Sequence, residues 1–271
     1  MKSKILLIIP IILFSFLHCG NNKEAKESNL AVAQQNKKAK EITIISVYDN
    51  YQIKPGLKSA WGFASLIKTP EEQILFDTGG NTNVLLSNMK KLKIDPESID
   101  KVFISHKHGD HVGGLKGFLE QNNNVTVYIP RSFPNSIKKM ILKQGAEYTE
   151  ISGPQKISKS AYSTGELTGP PTEQSIVINT KKGIVVITGC AHPGIVRIVS
   201  KAKEIMKTDR VFLVGGGFHK PSLSTVQKFR KMKVQKAAPS HCTGDKVRKA
   251  FEEEYGKDFI EYGVGKQIIV K

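Results

Sequence analysis

The sequence predicts a layered α/β domain with sheets inside and helices outside, and three observations carry that reading. Short apolar runs rich in β-branched residues alternate with segments whose apolar residues recur at helix-face spacing. The alternation runs once to about residue 144 and again from residue 175, as two successive β-then-α halves require. Six of the seven histidines follow directly on predicted strands instead of scattering over helices and linkers. At 271 residues the chain suffices for one large domain or two small ones, and 39% apolar residues can build a substantial core.

Residues 42–48, 63–68 and 73–76 read as strands, each bounded by turn residues. Residues 81–92 read as a helix, with Val84, Leu85, Met89 and Leu92 at helix-face spacing. A strand at 102–105, a helix at 112–120, a strand at 125–129 and a helix at 136–144 complete the first half. Residues 152–174 hold Gly153, Pro154, Gly165, Gly169, Pro170 and Pro171 and read as a long irregular connection. Such loops inside compact domains are often functional. In the second half, strands at 175–179 and 183–188 are joined by Thr180-Lys181-Lys182. A helix at 194–206, a strand at 211–214, a helix at 222–232, a strand at 234–237, a helix at 245–255 and a strand at 268–270 follow. No repeat of solenoid period is present.

The start of the chain has a different character. Lys2 and Lys4 precede an apolar run over residues 5–17, short for a spanning helix and of the right length for the apolar region of a secretion signal. Cys19 just beyond it resembles the cysteine of a bacterial lipobox, although Phe16-Leu17-His18 departs from the usual residues before such a cysteine. The expectation is a lipoprotein-type signal at 1–18, lipidation at Cys19, a flexible tether at 19–40 and one domain at 41–271. The protein would then be exported and lipid-anchored to the bacterial cell envelope, on its periplasmic or surface side. A cleaved, unlipidated protein and an uncleaved anchor are the alternatives.

Net charge is +17, but the lysines are scattered in pairs such as Lys90-Lys91, Lys138-Lys139 and Lys181-Lys182. No long basic block and no nucleic-acid fold signature accompanies them, so specific nucleic-acid binding is not expected. A solvated basic surface fits, as does attraction to anionic lipid or a small anionic substrate.

The segment Ser105-His106-Lys107-His108-Gly109-Asp110-His111 places four metal-ligating side chains in six residues, directly after an apolar strand. Nitrogen and oxygen donors of this kind suit borderline cations such as zinc. Three further strand-end loops carry histidine: Thr188-Gly189-Cys190-Ala191-His192-Pro193-Gly194, Gly215-Gly216-Gly217-Phe218-His219 and Ser240-His241-Cys242-Thr243-Gly244. Cys190 and Cys242 each stand within two residues of a histidine, and both a disulfide and a place at a metal site remain open.

The H-x-H-x-D-H pattern, followed by Gly113-Gly114 and preceded by the Phe76-Asp77-Thr78-Gly79 turn, resembles the metallo-β-lactamase superfamily. The three later loops resemble, more narrowly, its branch of dihydropterin ribofuranosylaminobenzene phosphate synthase-like metal-dependent hydrolases, and the resemblance runs from about residue 42 to 270. It implies an α/β fold that is a four-layer αββα sandwich with metal at one edge of the two sheets. It implies that His106 and His108 bind a first zinc ion with a third histidine, and that Asp110 and His111 bind a second with His241. No histidine lies between His111 and His192, so His192 is the candidate third ligand. Cys190 stands where much of the superfamily has a bridging aspartate and either ligates or lines the site, which leaves the count at one or two ions; manganese or iron are alternatives to zinc. Asp110 is the candidate catalytic residue, holding or deprotonating the attacking water. Asp77 supports the ligand loops, and His219 binds substrate, stabilises developing charge or packs its loop. Trp61 stands where relatives in the branch tend to carry histidine. The expected activity is hydrolysis of an ester, lactone or phosphoester by metal-bound hydroxide. Pterin-related synthase chemistry and a non-catalytic surface lipoprotein with a basic binding face are the alternatives.

Overall fold

The computed structural model describes residues 41–271; the expected signal, tether and lipidation at Cys19 lie outside the described residues. Strands β1 (Ile42–Tyr48), β2 (Ala64–Lys68), β3 (Gln73–Phe76), β4 (Lys101–Phe103), β5 (Thr126–Pro130) and β6 (Glu147–Ile151) join β13 (Gln267–Val270) in a seven-stranded sheet. Its order is β13-β1-β2-β3-β4-β5-β6, antiparallel up to β3 and parallel from β3 onward. Strands β7 (Gln155–Lys156), β8 (Ala161–Ser163), β9 (Ile176–Thr180), β10 (Gly183–Thr188), β11 (Val211–Gly217) and β12 (Val234–Ser240) form the second sheet. Its order is β12-β11-β10-β9-β8-β7, and β10, β11 and β12 run parallel.

Side-chain alternation assigns the layers. In β10, Val185 and Ile187 join a core with Phe63, Phe76 and Phe103 of the first sheet, so this core fills the space between the sheets. Ile184 and Val186 turn the other way, toward α5 (Ile195–Met206), α6 (Ser224–Lys231) and α7 (Asp245–Tyr255), where they meet Ile198, Phe229 and Phe251. The opposite face of the first sheet presents Leu75, Val102 and Val127 to α1 (Thr82–Lys91), α3 (Leu115–Leu119) and α4 (Asn135–Lys143). The result is helix, sheet, sheet, helix: the αββα sandwich. Because β10 is buried on both faces, it reads as the unbroken apolar run Ile184-Val185-Val186-Ile187. Truncating a side chain such as Phe76, fully buried between the sheets, costs about 3–5 kcal/mol.

Three elements differ from the sequence expectation. The helix expected at 112–120 is broken into the one-turn α2 (Gly109–Val112) and α3. The break falls at Gly113-Gly114, where the chain presses against the turn after β3: a Cβ on Gly113 would collide with the Gly80 carbonyl. This close approach sets Asp110 and His111 on their own helical turn, with His108 at its N-cap. Strand β6 was not anticipated, because it is an edge strand that exposes Glu147 and Glu150 and so lacks an apolar signature. Residues 152–174 are not a wholly irregular connection, since they contain β7 and β8. Two- and three-residue strands carry no readable period, and β8 is held by pairing with β9 farther along the chain. Among the described residues no helix is long and apolar enough to cross a membrane.

Candidate metal centre

The parallel strands β4, β10, β11 and β12 all deliver histidines from their C-terminal ends. His106 and His108 follow β4, His192 follows β10, His219 follows β11, and His241 follows β12. With His111 from α2 they form a continuous row of rings. Centroids are 4.5 Å apart for His219 and His192, 4.6 Å for His192 and His106, 4.1 Å for His106 and His111, and 5.1 Å for His111 and His241. His108 packs edge-on against His106 at 4.7 Å and His192 at 4.9 Å. The structure thus brings together the six sequence-predicted ligands, with Cys190, Asp77 and His219 beside them.

Hydrogen bonds set which nitrogen of each ring faces inward. His111 Nδ1 donates to Asp77 Oδ2 at 2.7 Å, His192 Nδ1 to Glu173 Oε2 at 2.9 Å, and His241 Nδ1 to Asn50 Oδ1 at 2.8 Å. His106 Nδ1 lies 2.9 Å from Ser105 Oγ, whose hydroxyl donates to Asp77 Oδ2 at 2.7 Å. With Nδ1 committed, each Nε2 is the nitrogen available to a cation, the arrangement seen around metal-ligating histidines. His108 turns its Nδ1 toward His106 Nε2, 3.2 Å away.

These spacings fit metal binding. Donors on arms of about 2.0–2.3 Å around a tetrahedral ion stand roughly 3.3–3.8 Å from one another. His241 Nε2 is 3.3 Å and His111 Nε2 3.6 Å from Asp110 Oδ2. Cys190 Sγ is 3.3 Å from His111 Nε2. The convergent donor atoms fall into overlapping groups: His106, His108 and His192; Asp110, His111 and His241; and His106, His111 and Cys190. Cys190 therefore lies between the two histidine sets, and it and Cys242 are unlinked buried thiols. His241 Nε2 is buried without a hydrogen-bond partner, which a cation would supply. The donor set fits one or two divalent ions.

Electrostatics keep His106, His108, His111 and Asp110 in their ligating forms. Burial, reinforced by neighbouring His241, pushes the His111 imidazole down to about 3. Burial likewise lowers His106 and His108, so their rings are neutral near pH 7 and free to coordinate. For Asp110, burial acts to raise the carboxyl. The imidazoles of His241, 3.3 Å from its Oδ2, and His111 outweigh it and hold the carboxylate well below its usual range.

Local backbone strain accompanies the site. Asp77, Ala191, His219 and His241 all have left-handed backbones, with φ of 54°, 60°, 49° and 47°. Non-glycine residues rarely adopt that region, at a cost of about 1–3 kcal/mol each. Their clustering here shows that surrounding contacts dictate where these side chains point.

Sequence reasoning missed two supporting residues. Glu173 is fully buried just before β9. Its Oε1 accepts the hydroxyl of Thr188 and the main-chain N–H groups of Gly189, Cys190 and Ala191 at 2.9–3.1 Å. Its Oε2 accepts His192 N and Nδ1, both at 2.9 Å. One carboxylate thus folds the whole Thr188–His192 turn. The available signal was its isolation: Glu173 is the one acidic residue between Glu166 and Glu204. Asn50, which fixes His241, lies at the end of β1 with no pattern to mark it.

Comparison with known proteins adds independent support. A family model described as the metallo-beta-lactamase superfamily matches residues 62–154. The 7,8-dihydropterin-6-methyl-4-(beta-D-ribofuranosyl)-aminobenzene-5'-phosphate synthase of Methanocaldococcus jannaschii is 31% identical, over 73% of this chain and 84% of that protein. Ribonuclease Z of Nanoarchaeum equitans is 38% identical over 74 residues, 22% of its length, and so shares only a segment. The crystal structure of a metal-dependent hydrolase of the beta-lactamase superfamily matches with a TM-score of 0.69 and 26% identity, over 84% of this chain and 98% of that one.

Proposed function

This chain belongs to the metallo-β-lactamase superfamily, and on that premise we propose that it is a metal-dependent hydrolase of a small ester, lactone or phosphoester. The observation that carries the reading is the convergence of donor atoms from both sheets, with His111, His192 and His241 each aimed by a hydrogen bond on its far side. His106, His108 and His192 would hold one ion, and Asp110, His111 and His241 a second, with the Cys190 thiol between them. A bound divalent ion supplies Lewis acidity toward a carbonyl or phosphoryl oxygen and lowers the pKa of water.

The chain's own groups divide the remaining work. Asp110 is partly exposed and ionised, so it can accept a hydrogen bond from an attacking water and orient it. His219 is exposed at the far end of the ring row, where it can hold a substrate oxygen. Asp77 and Glu173 keep His111 and His192 in the tautomer that leaves Nε2 free. An exposed histidine and the half-open Asp110 make this an open site, unlike the closed four-ligand sites of structural zinc.

The test is His108→Ala assayed on 4-nitrophenyl acetate and bis(4-nitrophenyl) phosphate. Turnover should be abolished while the circular dichroism spectrum and thermal midpoint stay close to the parent. Unchanged turnover would mean that hydrolysis does not depend on this site. A second reading, pterin-related synthase chemistry, is favoured by the relationship to the Methanocaldococcus jannaschii synthase; a metal-loaded protein inert on every ester and phosphoester offered would support it.

We further propose lipid anchoring through Cys19, on the lipobox-like position of that residue. Cys19→Ser should release the protein from the membrane fraction. Continued retention would mean an uncleaved anchor.

A further inference from the structure

We propose that Trp61 is a specificity-determining platform that stacks a flat aromatic group of the substrate. This rests on the hydrolytic reading of the adjoining site. Trp61 is the chain's sole tryptophan and, among the described residues, the most exposed large apolar side chain, at 58%. Its ring centroid lies 4.8 Å from that of His241, tilted by 51°. Trp61 therefore extends the row of rings by one member, at the end opposite His219. Every histidine in the row can ligate a cation, but an indole offers only an N–H donor and cannot. Its contribution is contact area, not coordination.

The ring is held in place from its backbone. Ala60 N donates to Asp49 O at 3.1 Å, and Phe63 N donates to Asp110 O at 3.2 Å, so the segment carrying Trp61 is pinned on both sides. One of those anchors is the main chain of Asp110 itself. Gly62 has φ of 141°, and a Cβ there would lie 2.5 Å from the Asp110 carbonyl, so the turn comes this close only with glycine. A large, rigid ring with only two side-chain torsions binds with little loss of freedom. Leaving it exposed in the free protein is unfavourable, and a stacked ligand relieves that exposure. Cations bound in the adjoining site would favour a neutral or anionic aromatic group over a cationic one.

The test compares two carboxylate probes of similar size, benzoate and cyclohexanecarboxylate, on the metal-loaded protein. The puckered ring is at least as apolar, so simple burial gives benzoate no advantage. Stacking predicts a dissociation constant for benzoate about five- to tenfold lower, read by ligand-detected nuclear magnetic resonance. The emission of Trp61, which needs no separation from other tryptophans, should change saturably with benzoate. Trp61→Ala should erase the preference and Trp61→Phe should retain most of it. In turnover, the ratio of kcat/KM for methyl benzoate over methyl cyclohexanecarboxylate should fall by the same factor in Trp61→Ala and recover in Trp61→Phe. Equal binding of both probes with unchanged emission would overturn the platform. A benzoate preference lost in Trp61→Ala, with neither ester hydrolysed, would uphold the platform and count against carboxylic ester hydrolysis alone.

Discussion

Asp77 and Glu173 occupy equivalent stations on the two walls of the site and behave in opposite ways. Each is fully buried, and each accepts the Nδ1–H of a ring in the histidine row. Asp77, at the end of β3, receives three hydrogen bonds: Ser105 N, Ser105 Oγ and His111 Nδ1. Glu173, before β9, receives six, four of them from consecutive main-chain N–H groups. Burial pushes the Asp77 carboxyl well above its usual range despite Ser105, with Glu173 and Asp110 adding repulsion. Burial acts on Glu173 too, but the hydrogen bonds from His192 and the turn, together with His106, overcome it and hold the carboxylate well below its usual range. The difference teaches that a carboxylate can stay charged in a core when enough aligned donors replace its water. It also separates the roles: Glu173 folds its wall, whereas Asp77 fine-tunes a wall already shaped by local sequence.

That contrast can be broken by matched amide substitutions. In Glu173→Gln, an amide N–H₂ either faces His192 N–H and Nδ1–H or displaces the oxygen that gathers the turn. We expect a loss of about 3–5 kcal/mol in chemical denaturation and a fall in metal affinity of about 10- to 100-fold. In Asp77→Asn the replaced carboxyl is already driven toward its neutral form. The expected stability loss is only about 1 kcal/mol, with metal affinity reduced about tenfold because His111 loses its best acceptor. Equal losses in the two variants would show that the donor count does not set the hierarchy.

The pH dependence of the metal-free protein sharpens the same point. His111 is held down at about 3 when folded but titrates near 6.5 when unfolded. The unfolded chain therefore binds the extra proton in that window. Stability is complete above about pH 6.5 and falls as pH drops toward 3, by about 1.4 kcal/mol per pH unit for this ring alone. Urea midpoints measured between pH 7 and 4 should decline accordingly. A flat profile would mean that His111 becomes protonated in the folded state.

The two walls also differ in how far the sequence revealed them. The first is written in consecutive residues: His106, His108, Asp110 and His111 share one loop, and the Phe76-Asp77-Thr78-Gly79 turn has its own signature. The second is assembled from strand ends far apart in the chain, yet His192, His219 and His241 were legible because each follows an apolar strand with glycines nearby. Glu173 was not, since its meaning comes from a turn 15–19 residues later that closes over it. The same reason hid β7 and β8, whose existence depends on pairing to β9 and not on any pattern of their own. Buried strands such as β10 were legible because burial on both faces demands apolar side chains, and β6 was not because an edge strand makes no such demand.

Metal content measured by elemental analysis of the purified protein, beside His108→Ala and Glu173→Gln, tests the account most directly. Two walls of converging donors predict one to two zinc, manganese or iron ions per chain in the parent protein and less in both variants. A parent protein that carries no metal, and takes up none when zinc or manganese is supplied, would contradict it.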